Sequence, residues 1–144
     1  MKMKLVIKEP NKPAKVCELS GNDTLAIAQK AVGGYVQSIA IGPEVSILVD
    51  EDGLSKNLPD NCGFVGTFVF VQEVLISKEE GYDWGSLNEE NVRKALAWCE
   101  KHSEEVHPDK SGSVIVITGD NNIKTYREQL ASDAQSKLME WQSL

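Results

Sequence analysis

The part of the chain that most constrains its fold is residues 33 to 71, which read GGYVQSIAIGPEVSILVDEDGLSKNLPDNCGFVGTFVFV. Two runs rich in β-branched residues flank Gly42-Pro43, and this pattern predicts two strands joined by a turn. DEDG and LPDN are expected to be turns, because Asp and Asn bond back to the main chain and Gly53 is free to take a positive φ. The run from Phe64 lacks a clean alternation, which favours a strand buried on both faces.

The residues before this region predict a hairpin and a helix. KLVIK at 4–8 and AKVCEL at 14–19 have strand composition, and the prolines of PNKP between them cannot continue a ladder. The helix that follows is predicted to begin at an N-cap, Asn22 or Asp23, and to end at Gly33-Gly34 in a left-handed stop. Residues 1–76 therefore predict a ββαβββ unit with β-grasp-like connectivity within an α+β fold.

Residues 77–144 have a different character and predict an acidic αβα extension. KEEGYDWG is polar and is interpreted as a loop. Capping-box spacing at Ser86 predicts a helix over about 87–106, followed by a strand at 113–118 and a last helix that carries Trp141. We expect the extension to pack on the first unit as one globular domain.

Composition limits the classes of partner. The formal net charge is −7, and only two arginines occur, Arg93 and Arg127. Clustered Lys and Arg are needed to neutralise phosphates, so direct binding to nucleic acid or to an anionic membrane is not expected. Three cysteines without C-x-x-C spacing and an N-terminus without an apolar signal region favour a cytoplasmic protein.

The chemistry-bearing motifs are incomplete. Cys99, His102 and His107 form C-x2-H-x4-H, a weak candidate for a metal site that needs a fourth ligand, which Cys17 or Cys62 could supply. The alternative is a half-buried helix face. The glycines match neither dinucleotide nor phosphate loops. The sequence therefore predicts no catalytic residue and no cofactor.

Aromatic residues in the acidic half suggest a different kind of site. Trp98 and Trp141 are expected to complete a core. Tyr82 and Trp84, in a segment with the acidic side chains of Glu79, Glu80 and Asp83, have the composition of an interface anchor. The alternative is that they fold back onto the core.

VGGYVQ, VDEDGLSKNLPDN and VGTFVFV resemble segments of the prokaryotic and bacteriophage family called domain of unknown function 3846. The resemblance covers residues 4 to about 73, and SLNEE at 86–90 is similar to a helix start often found after it. Members often carry an Arg where this chain has Cys62. The resemblance implies a phage or mobile-element origin and no particular reaction. The motif residues, which we interpret as turn chemistry that fixes a sheet, are Gly33, Gly34, Tyr35, Asp50, Gly53, Leu58, Pro59, Asn61 and Gly66.

These observations leave three functional hypotheses. The first is a small acidic non-enzymatic accessory protein of a phage or mobile element that binds a host protein. Such a protein would act as an anti-CRISPR or anti-restriction inhibitor of a nucleic-acid-binding defence effector. The second is a sponge for a nucleotide or other small molecule, with its pocket between the protomers of a homodimer. The third is a metal-dependent hydrolase that uses Cys99, His102 and His107.

Overall fold

The computed structural model describes residues 2–20, 24–107 and 139–144, and these form a layered α/β structure. The strands are β1 (Lys2–Lys8), β2 (Lys15–Ser20), β3 (Val36–Gly42), β4 (Val45–Asp50), β5 (Asp60–Asn61), β6 (Phe64–Val65), β7 (Phe68–Ser77) and β8 (Gly81–Gly85). The helices are α1 (Thr24–Val32) and α2 (Glu89–Lys101), and residues 139–143 are also helical.

The strands form one antiparallel sheet of six and a two-stranded pair. The main order is β2-β1-β7-β4-β3, and β8 pairs with the second half of β7. β5 pairs with β6. This topology confirms a mixed fold of strands and helices. The finer expectation of β-grasp-like connectivity is not confirmed, since β1 runs antiparallel to β7. β7 continues past residue 76 and pairs with β8, so the described residues on both sides of that position share one sheet.

The central strand β7 is buried on both faces, as its sequence predicted. Phe68 and Phe70 point to one face, and Val69 and Val71 point to the other; all four are fully buried. We call the first the α2 face, because α2 packs on it, and the second the α1 face. The α1 face is aliphatic and consists of Leu5, Ala28, Val32, Leu48, Val69 and Val71. The α2 face is rich in aromatic residues and includes Trp98 and Trp141, as expected.

The two helices begin and end at positions that partly differ from the predicted ones. Gly33, at φ +85°, stops α1 as predicted, and its N–H donates to the Gln29 carbonyl at 2.9 Å. The predicted capping box at Ser86 is wrong. Asn88 is the N-cap, and its Oδ1 accepts a hydrogen bond from the N–H of Asn91 at 2.8 Å. α2 also ends at Lys101 rather than near 106.

Two further predictions concern residues that the structure does not describe, and a third is wrong. The first N-cap, at 22 or 23, and the strand at 113–118 lie outside the described residues. The loop interpretation of GYDWG is wrong, because Gly81–Gly85 is strand β8. Gly81 takes a φ of +76° at the turn and allows β8 to fold back along β7.

The glycine-rich motif residues hold the segment after β4 against the sheet. Gly34 has no Cβ, and a Cβ there would lie 2.8 Å from Lys56 Nζ and 3.2 Å from Asp50 Oδ2. Gly53 does not take the expected positive φ; instead, a Cβ there would lie 2.7 Å from Val65 Cγ2. Gly66, at φ +74°, lies against Leu58 in the same way. The motif therefore permits close packing at three places.

Candidate functional site

The β5–β6 hairpin brings the polar residues of the α2 face together. Its two turn residues, Cys62 and Gly63, have φ values of 55° and 84°, the left-handed pair of a type I′ turn. A non-glycine residue in this conformation costs roughly 1–2 kcal/mol. The N–H of Gly63 donates to the Glu105 carbonyl at 3.0 Å, which ties the turn to the segment after α2.

Lys8, the last residue of β1, is buried beside this hairpin. Only 7% of the residue is exposed. Its Nζ donates to the Glu9 carbonyl at 2.8 Å and to Asn61 Oδ1 at 2.9 Å. The Asn61 amide nitrogen donates in turn to the carbonyls of Lys8 and Gly66, both at 2.9 Å. Asn61, one of the predicted motif residues, therefore joins β1, β5 and the turn after β6 through its side chain.

Two buried thiols lie next to this pair. Cys62 Sγ donates to the carbonyl of Cys99 at 3.5 Å, near the end of α2 where helix carbonyls lack intrahelical partners. Interaction with the Cys99 side chain lowers the pKa of Cys62 to about 7 against the effect of burial; the charges of Lys8 and His102 lower it further, and that of Glu105 raises it. The same thiol contact, together with burial, raises the pKa of Cys99.

His102, the C-cap residue of α2, is clamped between two carboxylates. Its Nδ1 lies 2.5 Å from Glu105 Oε1, and its Nε2 lies 2.6 Å from Glu140 Oε1. The ring also stacks on Trp98 with centroids 4.4 Å apart. Burial would raise the pKa of Glu140, but hydrogen bonds from His102 and Lys101 lower it below its usual value. This cluster fixes residues 139–144 to α2.

A cavity of about 500 Å³ opens between the β1–β2 turn, β5 and α2. Polar side chains contribute much of its wall, including Lys8, Asn11, Asp60, Asn61, Glu100 and Ser103. Lys12, Cys99 and three apolar residues, Pro13, Ala14 and Leu96, complete the wall. Cavities of this size are typical of small-molecule sites.

The structure does not assemble the three proposed metal ligands. Cys99 faces the thiol of Cys62, both ring nitrogens of His102 face carboxylates, and the main-chain N–H of His107 donates to Asp60 Oδ1 at 3.3 Å. Within residues 2–20, 24–107 and 139–144, no group of three or more His, Cys, Asp or Glu side chains is placed to hold a metal ion.

The predicted acidic surface lies at the opposite end of β7, on the β7–β8 hairpin. The side chains of Glu79, Glu80 and Asp83 are exposed. Trp84 is half-buried and packs against the α1 face, so the core contributes to its position. Asp83 Oδ1 accepts a hydrogen bond from the N–H of Trp84 at 2.8 Å. Of Tyr82, the structure describes only the backbone, which pairs with Leu75.

Reasoning from the sequence missed Lys8 as a site residue. It ends an apolar run and precedes Glu9-Pro10, where an exposed lysine is the ordinary expectation. Its burial depends on β5 and α2, which are distant in sequence, so no local signal identifies it. Asn61 and Cys62 were noted, but the contact of Cys62 with Cys99 depends on the same long-range packing.

Comparisons with known proteins give one assignment. Residues 3–100 match the family described as domain of unknown function (DUF3846), and the match includes β8 and nearly all of α2. Comparisons with curated proteins and with solved structures found no match. Among the described residues, no helix is long and apolar enough to cross a membrane. Because the matched region covers well over half of the chain, this protein belongs to the DUF3846 family.

Proposed function

We propose that the protein acts without catalysis, by binding a basic surface of a partner protein through the tip of the β7–β8 hairpin. The observation that carries this proposal is the projection of that hairpin. β4 and β1 pair with β7 only as far as Gln72, and beyond it the described pairings of β7 are with β8. The tip is therefore supported by one partner strand, and residues 78–80 at the tip are exposed.

The charge of the hairpin defines the partner chemistry. Residues 73–85 contain four acidic side chains, Glu73, Glu79, Glu80 and Asp83, against Lys78 alone, a net charge of −3. Within the described part of the chain, Glu79, Glu80 and Asp83 form no ion pair. Their charge is available to a positively charged partner, and complementary charge increases both association rate and specificity.

The family resemblance supports the biological side of the proposal. A phage or mobile-element protein with an acidic surface can occupy the basic channel through which a host defence protein holds nucleic acid. Inhibition of this kind requires competition for a surface and no bond making or breaking. The proposed partner is therefore a nucleic-acid-binding defence effector of the host, and the proposed activity is its inhibition.

The test is capture from host lysate with three matched baits. They are the wild-type protein, a hairpin variant with Glu79, Glu80 and Asp83 changed to Lys, and a control with Glu18, Glu51 and Glu104 changed to Lys. The control changes the net charge equally on other surfaces. We expect one nucleic-acid-binding protein to be retained by the wild type and the control, and lost by the hairpin variant. Identical capture by all three baits would contradict the proposed surface.

A further inference from the structure

Lys8 is a buried cation whose described hydrogen-bond acceptors are neutral oxygens, with the Cys62 thiol nearby. Its ammonium has three N–H donors, and the two described acceptors are the Glu9 carbonyl and Asn61 Oδ1, both neutral groups. Among the residues that the structure describes, no carboxylate lies within 4.0 Å of it. Fully buried lysines are rare unless they are paired, because an unneutralised charge inside a protein is costly.

Asp50, the other buried charged residue among those described, shows how this protein neutralises a charge that serves the fold alone. The side chain of Asp50 is 2% exposed, and its Oδ2 accepts from Lys56 Nζ at 2.8 Å. Its Oδ1 accepts from the N–H of Asp52 at 2.8 Å. Lys8 differs because it has no carboxylate partner among the described residues and lines an open cavity of about 500 Å³.

We propose that the cavity beside Lys8 binds a small hydroxy acid or amino acid through its carboxylate. The carboxylate would accept a charge-assisted hydrogen bond from Lys8 Nζ. This site lies at the opposite end of β7 from the tip of the β7–β8 hairpin and does not depend on the protein-binding function proposed above.

The remaining charges of the cavity limit the ligand to one negative charge. Lys12 also lines it, but its Nζ pairs with Glu9 Oε2 at 3.2 Å, so among the described residues Lys8 is the lysine of the wall without a carboxylate partner. Asp60 and Glu100 are on the same wall and repel additional negative charge. A nucleoside diphosphate or triphosphate is therefore unfavourable.

Asp60 and Glu100 also favour a ligand that carries a hydrogen-bond donor in addition to its carboxylate. Their carboxylates can accept hydrogen bonds from a hydroxyl or an ammonium group, while Asn11 and Ser103 can donate or accept. Pro13, Ala14 and Leu96 supply a small apolar surface for a short carbon chain. A ligand with a carboxylate, a hydrogen-bond donor and a short carbon chain is a hydroxy acid or an amino acid.

The experiment titrates the full-length ¹⁵N-labelled protein separately with glycolate, L-lactate and L-serine at constant ionic strength, and follows backbone amide chemical shifts. We expect at least one probe to give saturable shifts at residues 9, 11, 12 and 14 and at residues 100–103. Lys8→Met should weaken binding of that probe by about 10–100-fold, the loss expected for one hydrogen bond to a charged group. Lys30→Met, an exposed lysine on α1, should leave it unchanged.

A second variant protects the test from a folding defect in Lys8→Met. Ser103 is exposed and lines the cavity, so Ser103→Phe fills the space while the ammonium stays in place. It should abolish the saturable shifts. Wild-type affinity in Lys8→Met or saturable binding in Ser103→Phe would overturn the site, and so would the absence of saturation by all three probes. Tighter binding of inorganic phosphate than of every carboxylate probe would overturn the ligand class.

Discussion

The two faces of the sheet differ in what they bury, and the difference separates structure from candidate function. The α1 face is a compact aliphatic cluster, and its polar neighbour Asp50 is paired with Lys56 at 2.8 Å. The α2 face carries Phe68, Phe70 and two tryptophans, but it also encloses a lysine, an asparagine and two thiols. The buried lysine, asparagine and thiols of this protein therefore lie on one side of the central strand β7.

This difference teaches how to recognise a polar residue that serves the fold. On the α1 face, the carboxylate of Asp50 has an opposite charge and a main-chain N–H as partners, so its hydrogen bonding is complete within the protein. On the α2 face, the described acceptors of Lys8 are neutral, and the residue lines an open cavity. Incomplete neutralisation, more than burial, marks the second face as the place for a ligand.

The largest expected effect comes from truncating neighbouring residues of β7 on opposite faces. Phe70 and Val71 are both fully buried. Phe70→Ala should lower the free energy of unfolding by about 3–5 kcal/mol, because it leaves a large cavity among aromatic rings. Val71→Ala removes less apolar surface and should cost roughly 1–3 kcal/mol. Urea unfolding monitored by far-UV circular dichroism measures both, and equal losses would remove the proposed asymmetry of the faces.

Much of the fold could be predicted from the sequence, because its signals are local. The hairpin of β1 and β2, the stop of α1 at Gly33 and the doubly buried β7 follow from turn residues and apolar patterning. The β8 strand was missed because GYDWG is short and polar; pairing with β7 stabilises it despite its composition. The start of α2 was displaced because Asn88, rather than Ser86, caps it.

The candidate site could be predicted only in part, because its contacts join distant segments. Asn61 was predicted to be a turn residue of LPDN, but it lies in β5, and its hydrogen bonds to Lys8 cross 53 positions of sequence. The sequence pattern grouped Cys99 with two histidines, whereas the fold places it beside Cys62. Spacing along one helix predicts shared faces, and it cannot show which residue from another strand fills the facing position.

Asn61→Leu should disrupt the polar contacts of the α2 face and have an intermediate effect on the free energy of unfolding. The change removes one acceptor of Lys8 Nζ and the donor to two carbonyls, and each buried polar group left without a partner costs about 1–3 kcal/mol. We expect a total loss of about 2–4 kcal/mol in urea unfolding, since partial rearrangement satisfies some groups. Gln37→Leu, on an exposed position of β3, is the control and should be nearly neutral. A loss of stability no larger than that of the control would show that Asn61 does not hold the site together.

The smallest effect tests the paired charge on the α1 side through its pH dependence. Burial would raise the pKa of Asp50, but hydrogen bonds from Lys56 and the Asp52 N–H lower it below the usual 3.8. The folded pKa is therefore below the unfolded one, so the stabilisation is fully present above about pH 4 and decreases as pH falls through the folded pKa. Glu140 contributes in the same direction, because its pKa is also lowered.

Asp50→Asn should lower the free energy of unfolding by about 1–2 kcal/mol at pH 7 and by less at pH 3, so the stabilities of wild type and variant converge on acidification. Urea unfolding at pH 7, 5, 4 and 3 measures the difference, with Glu140→Gln as a parallel series to account for the α2 side. A constant difference between wild type and Asp50→Asn across this range would show that the pair does not stabilise the ionised carboxylate.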